Sequence, residues 1–146
     1  MEPTRAMTVG TASRSVGTEG GGPTMAVGRL AGRRILVVED DPIIALDLKT
    51  ILEDAGAVVT GPAADLATAF RLAEQHAHDA AVLDVRLERE DTLSLATQLL
   101  ERRLPFLFQT SDARLVTGLF PGVPILRKPF RADHLVASLA ELLAKS

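Results

Sequence analysis

From Arg33 onward, short aliphatic runs alternate with apolar residues at helical spacing, and this alternation constrains the fold more than any other feature of the chain. Successive strand and helix patterns of this kind are the signature of βαβ units and a parallel sheet. Five rounds are visible. The first strand is Arg34 to Val38; the helix after it carries Ile44, Leu48, Ile51, Leu52 and Ala55 on one face and ends at Gly56. A short second strand, Val58 to Thr60, leads through Gly61-Pro62 into a helix with Leu66, Ala69, Phe70 and Ala73 on a shared face. The third strand is Ala80 to Leu83, and its helix is expected to start from an Asp91 cap and run to Arg102 or Arg103. Pro105 to Phe108 and Val123 to Leu126 are the fourth and fifth strands, and Leu135, Val136, Leu139, Leu142 and Leu143 give the last helix its apolar face. Between Thr110 and Val123 the pattern breaks at Pro121-Gly122, so a helix there is expected to be short or mobile. The fold class is therefore α/β, with one doubly wound five-stranded parallel sheet.

Residues 1–31 read differently. Gly, Ser and Thr with the cluster Gly20-Gly21-Gly22-Pro23 supply too little hydrophobic surface to order themselves, so a disordered leader is expected over 1–31 and one domain over 32–146. The change of composition near Met25 marks that residue as an alternative natural start. A secretory signal would need a continuous apolar stretch, which residues 1–31 lack. At 146 residues and 47% apolar content the chain can fill one sizeable core. With no cysteine, thiol catalysis, thiolate metal sites and disulfides are excluded. A net charge of −3 without a basic stripe argues against nucleic acid as partner. No apolar run reaches the roughly 20 residues of a membrane helix, so a protein without membrane attachment, in the cytoplasm, is expected.

The chemistry sits at the strand ends. Strands of a parallel sheet all finish on one edge, which gathers residues distant in sequence into one crevice. Glu39-Asp40-Asp41 follow the first strand, Asp84 the third, Thr110 the fourth, and Lys128 of Arg127-Lys128-Pro129-Phe130 the fifth. Phosphoryl transfer needs a nucleophile, a divalent cation and positive charge on the phosphoryl oxygens. Asp84 can attack as a carboxylate, forming an acyl phosphate. Glu39 and Asp40 beside it would repel it unless a cation intervenes, and Mg2+ suits oxygen ligands that leave room for water and phosphate. Lys128 offers a point charge and Thr110 a hydroxyl donor. Each signal alone is weak: acidic residues at strand ends are common in solvated loops, and Lys-Pro-Phe alone is a turn. Their conjunction in order carries the argument. His76 and His78 read as helix-terminating residues rather than ligands, and Thr92 and Ser111 as caps or turn residues.

This set of residues closely resembles the response-regulator receiver family, the phosphoacceptor half of two-component signalling, over about Arg33 to Lys145. In that family an acidic pair follows strand one, the phosphorylated Asp ends strand three, a Thr or Ser ends strand four, and Lys-Pro follows strand five. Glu39-Asp40, Asp84, Thr110 and Lys128-Pro129 occupy those places, and Asp40 and Lys128 each lie 44 residues from Asp84. The resemblance implies a flavodoxin-like fold and Mg2+ bound by Asp40, Asp84 and the backbone carbonyl of Arg86, with Glu39 helping through water. It also implies a cis Lys128-Pro129 peptide, a histidine kinase or phosphotransfer protein as donor, a downstream protein partner, and a monomer or weak dimer.

Four features depart from the family pattern. Leu87 to Thr92 replace a common Met-Pro-x-Met-Asp-Gly loop. Ile125 stands where many members carry a switching Tyr or Phe. The stretch from Thr110 to Lys128 is short, and with Pro105-Phe106-Leu107-Phe108-Gln109-Thr110 it is similar to a stand-alone subgroup with a Pro-Phe-x-Phe-Ala-Thr-Gly motif, Gln109 and Ser111 replacing Ala and Gly. Arg86, two residues past Asp84, could shield or pair with an acyl phosphate. The function implied is a single-domain regulator phosphorylated on Asp84 that does not turn over a substrate. The alternatives are a phosphate sink or connector, and a haloacid-dehalogenase-like phosphatase, which would require an acid where Arg86 stands.

Overall fold

The computed structural model of the chain describes residues 28–145. Five strands, β1 (Arg34–Val38), β2 (Val58–Ala63), β3 (Ala80–Asp84), β4 (Phe106–Thr110) and β5 (Ile125–Arg127), form one sheet in the order β2-β1-β3-β4-β5. Every neighbouring pair is parallel. Four helices connect and flank them: α1 (Pro42–Asp54), α2 (Leu66–Gln75), α3 (Leu93–Glu101) and α4 (Ala132–Lys145). The chain winds outward from β1 in both directions, so the crevice of such a sheet lies at the carboxyl ends of β1 and β3.

Alternation along each strand divides the core in two. Ile35 and Val37 of β1, Ala80 and Val82 of β3 and Leu107 of β4 pack with Leu48 and Leu52 of α1 and Leu135 and Leu139 of α4. Leu36, Val38, Ala81, Leu83, Phe106 and Phe108 point to the other face and meet Ala69 and Ala73 of α2 and Leu95 and Leu99 of α3. Among the described residues no helix is long and apolar enough to cross a membrane.

Most of the expected leader lies outside the described residues, but its last part does not behave as a leader. Leu30 is fully buried and packs in the α1–α4 half of the core. Its amide donates to the Ala55 carbonyl at 2.9 Å, and Gly32 donates to Gly56 at 2.9 Å. Residues 28–31 thus belong to the domain, which starts before the expected boundary at 32. One leucine between two glycines carries no periodicity, so composition could not reveal this seat. Gly56 serves both partners. It sits at φ +94° where α1 ends, with Gly56 donating to Glu53 and Ala57 to Leu52, and a Cβ there would meet the Ala31 Cα at 2.9 Å. Leu30→Ala should therefore destabilise the protein by about 2–5 kcal/mol in urea unfolding, whereas a leader residue would give no measurable change.

Other boundaries shift for local reasons. β4 runs on to Thr110 because Gln109 and Thr110 pair with Leu126 and Arg127 of β5, although they interrupt the apolar run. For the same reason β5 begins at Ile125, not Val123. β2 continues to Ala63, which pairs with Val38. Thr92, rather than Asp91, occupies the residue before α3, while the Asp91 carboxylate accepts from the Leu93 amide at 3.0 Å. The weak segment after Thr110 forms a single 3-10 turn, Ala113–Leu115. Phe120 holds its far end, with ring centroids 6.2 Å from Phe106 and 5.4 Å from Phe108.

Candidate functional site

The carboxyl edge of the sheet brings the expected acids and lysine together. Glu39 and Asp40 follow β1, Asp84 ends β3, and Lys128 follows β5, its amide donating to the Thr110 carbonyl at 2.8 Å as a continuation of the β4–β5 ladder. The Lys128 Nζ reaches back across the edge to Glu39 Oε1 at 2.9 Å and Asp84 Oδ2 at 3.1 Å. The Lys128–Pro129 peptide is cis, as the resemblance implies, and so is Gly61–Pro62.

Glu39 is the deepest charge. Its side chain is 0% exposed, so its oxygens must be paired within the protein. Oε1 accepts from Gln109 Nε2 at 2.7 Å as well as from Lys128, and Oε2 accepts from the Asp41 amide at 2.9 Å. Asp84 is also buried; its Oδ1 accepts from the Arg86 amide at 3.3 Å. Asp40 is half-buried at the mouth. Asp41 belongs to the same acidic run but leaves the cleft, because its Oδ1 caps α1 through the Ile43 and Ile44 amides at 2.9 and 3.3 Å.

Burial, foremost, and the nearby Glu39 carboxylate raise the Asp84 pKa from 3.8 to about 6, against the pull of Lys128. Burial also acts to raise Glu39, but hydrogen bonds from Gln109, the Asp41 amide and Lys128 together outweigh it and leave Glu39 below its ordinary range. Burial would lower Lys128, yet its bonds and charge contacts with Glu39 and Asp84 hold it above the ordinary lysine value. The cleft is thus a charged triad in which Asp84 is the least comfortable anion.

A cation would relieve that discomfort. Oxygens of Glu39, Asp40 and Asp84 lie within 4.8 Å of one another. Three carboxylates and one ammonium leave a charge of −2 when all are ionised, which a hard dication with oxygen ligands balances. The donor set is all oxygen, so it fits Mg2+. Asp40 opens at the mouth and each Asp84 oxygen accepts one bond, so both can contribute oxygens, whereas Glu39 is fully buried with one oxygen shared by two donors and suits an indirect role. The expected fourth donor is also available. The segment past Asp84 folds back on itself so that Arg86 bridges to Asp91, through Thr92 donating to the Val85 carbonyl at 3.0 Å and Leu87 donating to Glu90 at 2.8 Å. Neither bond uses the Arg86 carbonyl. The Arg86 side chain is exposed. Because a protonated Asp84 cannot ligate, Mg2+ affinity measured by calorimetry should fall below about pH 6, by up to about tenfold per pH unit. A flat profile there would contradict a role for Asp84 as ligand.

Thr110 lies on the same edge and is buried, but its hydroxyl is turned toward the next loop. It accepts from the Asp112 amide at 3.1 Å and lies 3.4 Å from the Asp112 carbonyl. Two residues acquire roles beyond those expected of them. Thr92, fully buried, donates its hydroxyl to the Asp84 carbonyl at 2.7 Å and so fixes the backbone that carries the nucleophile. Gln109, also fully buried, anchors Glu39. The visible signal for Gln109 was an amide directly after the apolar run Phe106-Leu107-Phe108.

A family model described as the response regulator receiver domain matches residues 35–140. The chain is 34% identical over 123 residues to the transcriptional regulatory protein PdtaR of Mycobacterium tuberculosis, covering 81% of this chain and 60% of PdtaR. It is 31% identical over 114 residues to the phyllosphere-induced regulator PhyR of Methylorubrum extorquens, covering 75% of this chain and 43% of that protein. The chain therefore spans only part of the length of these curated relatives. Among solved structures, the response regulator PhyR from Brucella abortus superposes with a TM-score of 0.73 at 26% identity, covering 84% of this chain and 52% of that one. The receiver domain of sensor histidine kinase PA1611 from Pseudomonas aeruginosa superposes with a TM-score of 0.68 at 31% identity, covering 78% and 99%; that structure has a magnesium ion coordinated in its active site cleft.

Proposed function

The chain belongs to the response regulator receiver domain family, and from that premise we propose that it accepts a phosphoryl group on Asp84 from a histidine kinase or phosphotransfer protein and signals by a phosphorylation-dependent protein contact. The observation that carries this reading is the bridge of Lys128 Nζ between Asp84 at 3.1 Å and Glu39 at 2.9 Å, on the sheet edge where Asp40 also opens. In the transfer, an Asp84 carboxylate oxygen forms a bond to phosphorus. The phosphorus–nitrogen bond of the donor breaks, and its electron pair stays on the imidazole. Lys128 is within reach of the new phosphoryl oxygens, and Thr92 and the Arg86 amide hold Asp84 still while it reacts. Mg2+ held by Asp40, Asp84 and the Arg86 carbonyl would supply further positive charge to the phosphoryl oxygens. The group leaves by hydrolysis, so the protein participates in its own dephosphorylation without turning over a separate substrate. The reading places it in the cytoplasm, where ATP-dependent kinases work.

Signalling follows from what Thr110 must give up. Its single O–H cannot point both to a phosphoryl oxygen and to the Asp112 carbonyl 3.4 Å away, and a rotation of the side chain toward Asp84 would also draw it off the Asp112 amide and release the start of the 3-10 turn. Ile125 has no ring to rotate, which leaves the segment from Ser111 to Phe120 to carry the change by population shift. Amide hydrogen exchange across Ser111–Phe120 should therefore differ between Mg2+ alone and Mg2+ with beryllofluoride, an acyl-phosphate mimic. Identical protection would remove this output route.

A further inference from the structure

Two donors, Gln109 Nε2 at 2.7 Å and Lys128 Nζ at 2.9 Å, share one oxygen of Glu39. The two donors are not equivalent. Lys128 is also 3.1 Å from Asp84 and is the cation that a phosphoryl group on Asp84 would draw away. Glu39, with its side chain 0% exposed, has no access to bulk water to replace it. Gln109, by contrast, comes from β4, is paired in register with Asp84, and reaches across β3 to Glu39 without touching the nucleophile's carboxylate.

We propose that Gln109 is a positioning residue for phosphoryl transfer: it keeps the Glu39 carboxylate anchored while Lys128 leaves it for the phosphoryl group on Asp84. The inference rests on the reading of Asp84 as phosphoacceptor. The orientation of the amide is fixed, because the reverse would set two acceptor oxygens 2.7 Å apart. That orientation leaves Gln109 Oε1 buried with no donor. An orphaned buried carbonyl loses about as much stability as a hydrogen bond to a charged group returns, so fold stability alone does not account for an amide at this position. Methionine would fill the same volume with nothing left unpaired. What the amide adds is a second, neutral donor to Glu39 that stays in place as charge in the cleft rearranges. Without it Lys128 becomes the sole side-chain donor to that oxygen and is held back.

The test compares wild type, Gln109→Met and, as a smaller substitution should Met fit poorly, Gln109→Ala. Acetyl phosphate serves as donor: the Asp84–phosphorus bond forms as the acetyl oxygen–phosphorus bond breaks, and acetate carries off the electron pair. At saturating acetyl phosphate, the phosphorylation rate constant of Gln109→Met should fall about tenfold, with the Mg2+ dissociation constant held within about twofold. Thermal stability should not fall with it. In a Glu39→Gln background the same substitution should add less than about a twofold loss, since its effect passes through that carboxylate. An unchanged rate, a loss explained by weaker Mg2+ binding, or an equal loss in the Glu39→Gln background overturns the inference while leaving Asp84 as acceptor. Wild type that takes up no phosphoryl group overturns the reading of Asp84 and the inference together.

Discussion

Lys128→Met should destabilise the metal-free protein by about 3–5 kcal/mol near neutral pH, in urea unfolding with a chelator present. The substitution preserves the length and packing of the side-chain stem and removes only the ammonium. Its bonds to Glu39 at 2.9 Å and Asp84 at 3.1 Å are then lost together, leaving two buried carboxylates facing each other. Mg2+ should restore part of the loss by supplying positive charge at the same place. Acid should restore part as well, because Asp84 already takes up its proton at about pH 6 and without Lys128 would do so at a higher pH. A loss below about 1 kcal/mol would mean that the pair behaves as an exposed surface bridge.

The opposite sign is expected at the nucleophile. Asp84→Asn should stabilise the metal-free protein at about pH 8, by up to about 3 kcal/mol on the size of the shift from 3.8 to about 6. Asp84 has a folded pKa above its unfolded one, so the folded state binds its proton more tightly. That contribution is fully present below 3.8 and is lost as the pH rises through about 6. Above that, the wild type carries an unfavourable ionised group that Asn lacks; the single amide oxygen of Asn still accepts from Lys128, and what is given up is the longer bond from the Arg86 amide at 3.3 Å. Stabilisation by Mg2+ should shrink in the same variant. A destabilised Asp84→Asn protein with wild-type Mg2+ response would contradict the description of the cleft as a site held in charge tension.

The parts of the site that the sequence disclosed are those fixed by topology alone. Once the chain is read as a parallel sheet, Asp40, Asp84 and Lys128 must share an edge, whatever their rotamers. Asp41 shows the limit of that inference, since an acid one residue nearer the helix becomes its cap. Thr110 shows another: the strand end placed it correctly, yet a local bond to Asp112 decides where its hydroxyl faces. Gln109 and Thr92 were illegible as functional residues because their roles depend on tertiary reach. Gln109 meets a partner 70 positions away, and Thr92 meets the backbone of Asp84 rather than any side chain. Leu30 was hidden for a related reason, as a single apolar residue acquires meaning only from the Ala55–Gly56 corner that receives it. The break after Thr110 was visible through Pro121 and Gly122, but the Phe120 anchor on Phe106 and Phe108 was not.

Intact mass after incubation with acetyl phosphate and Mg2+ tests the central claim most directly. Wild type should gain one phosphoryl group, while Asp84→Asn, and wild type with chelator in place of Mg2+, should gain none. An Asp84→Asn protein phosphorylated to the same extent as wild type would contradict it.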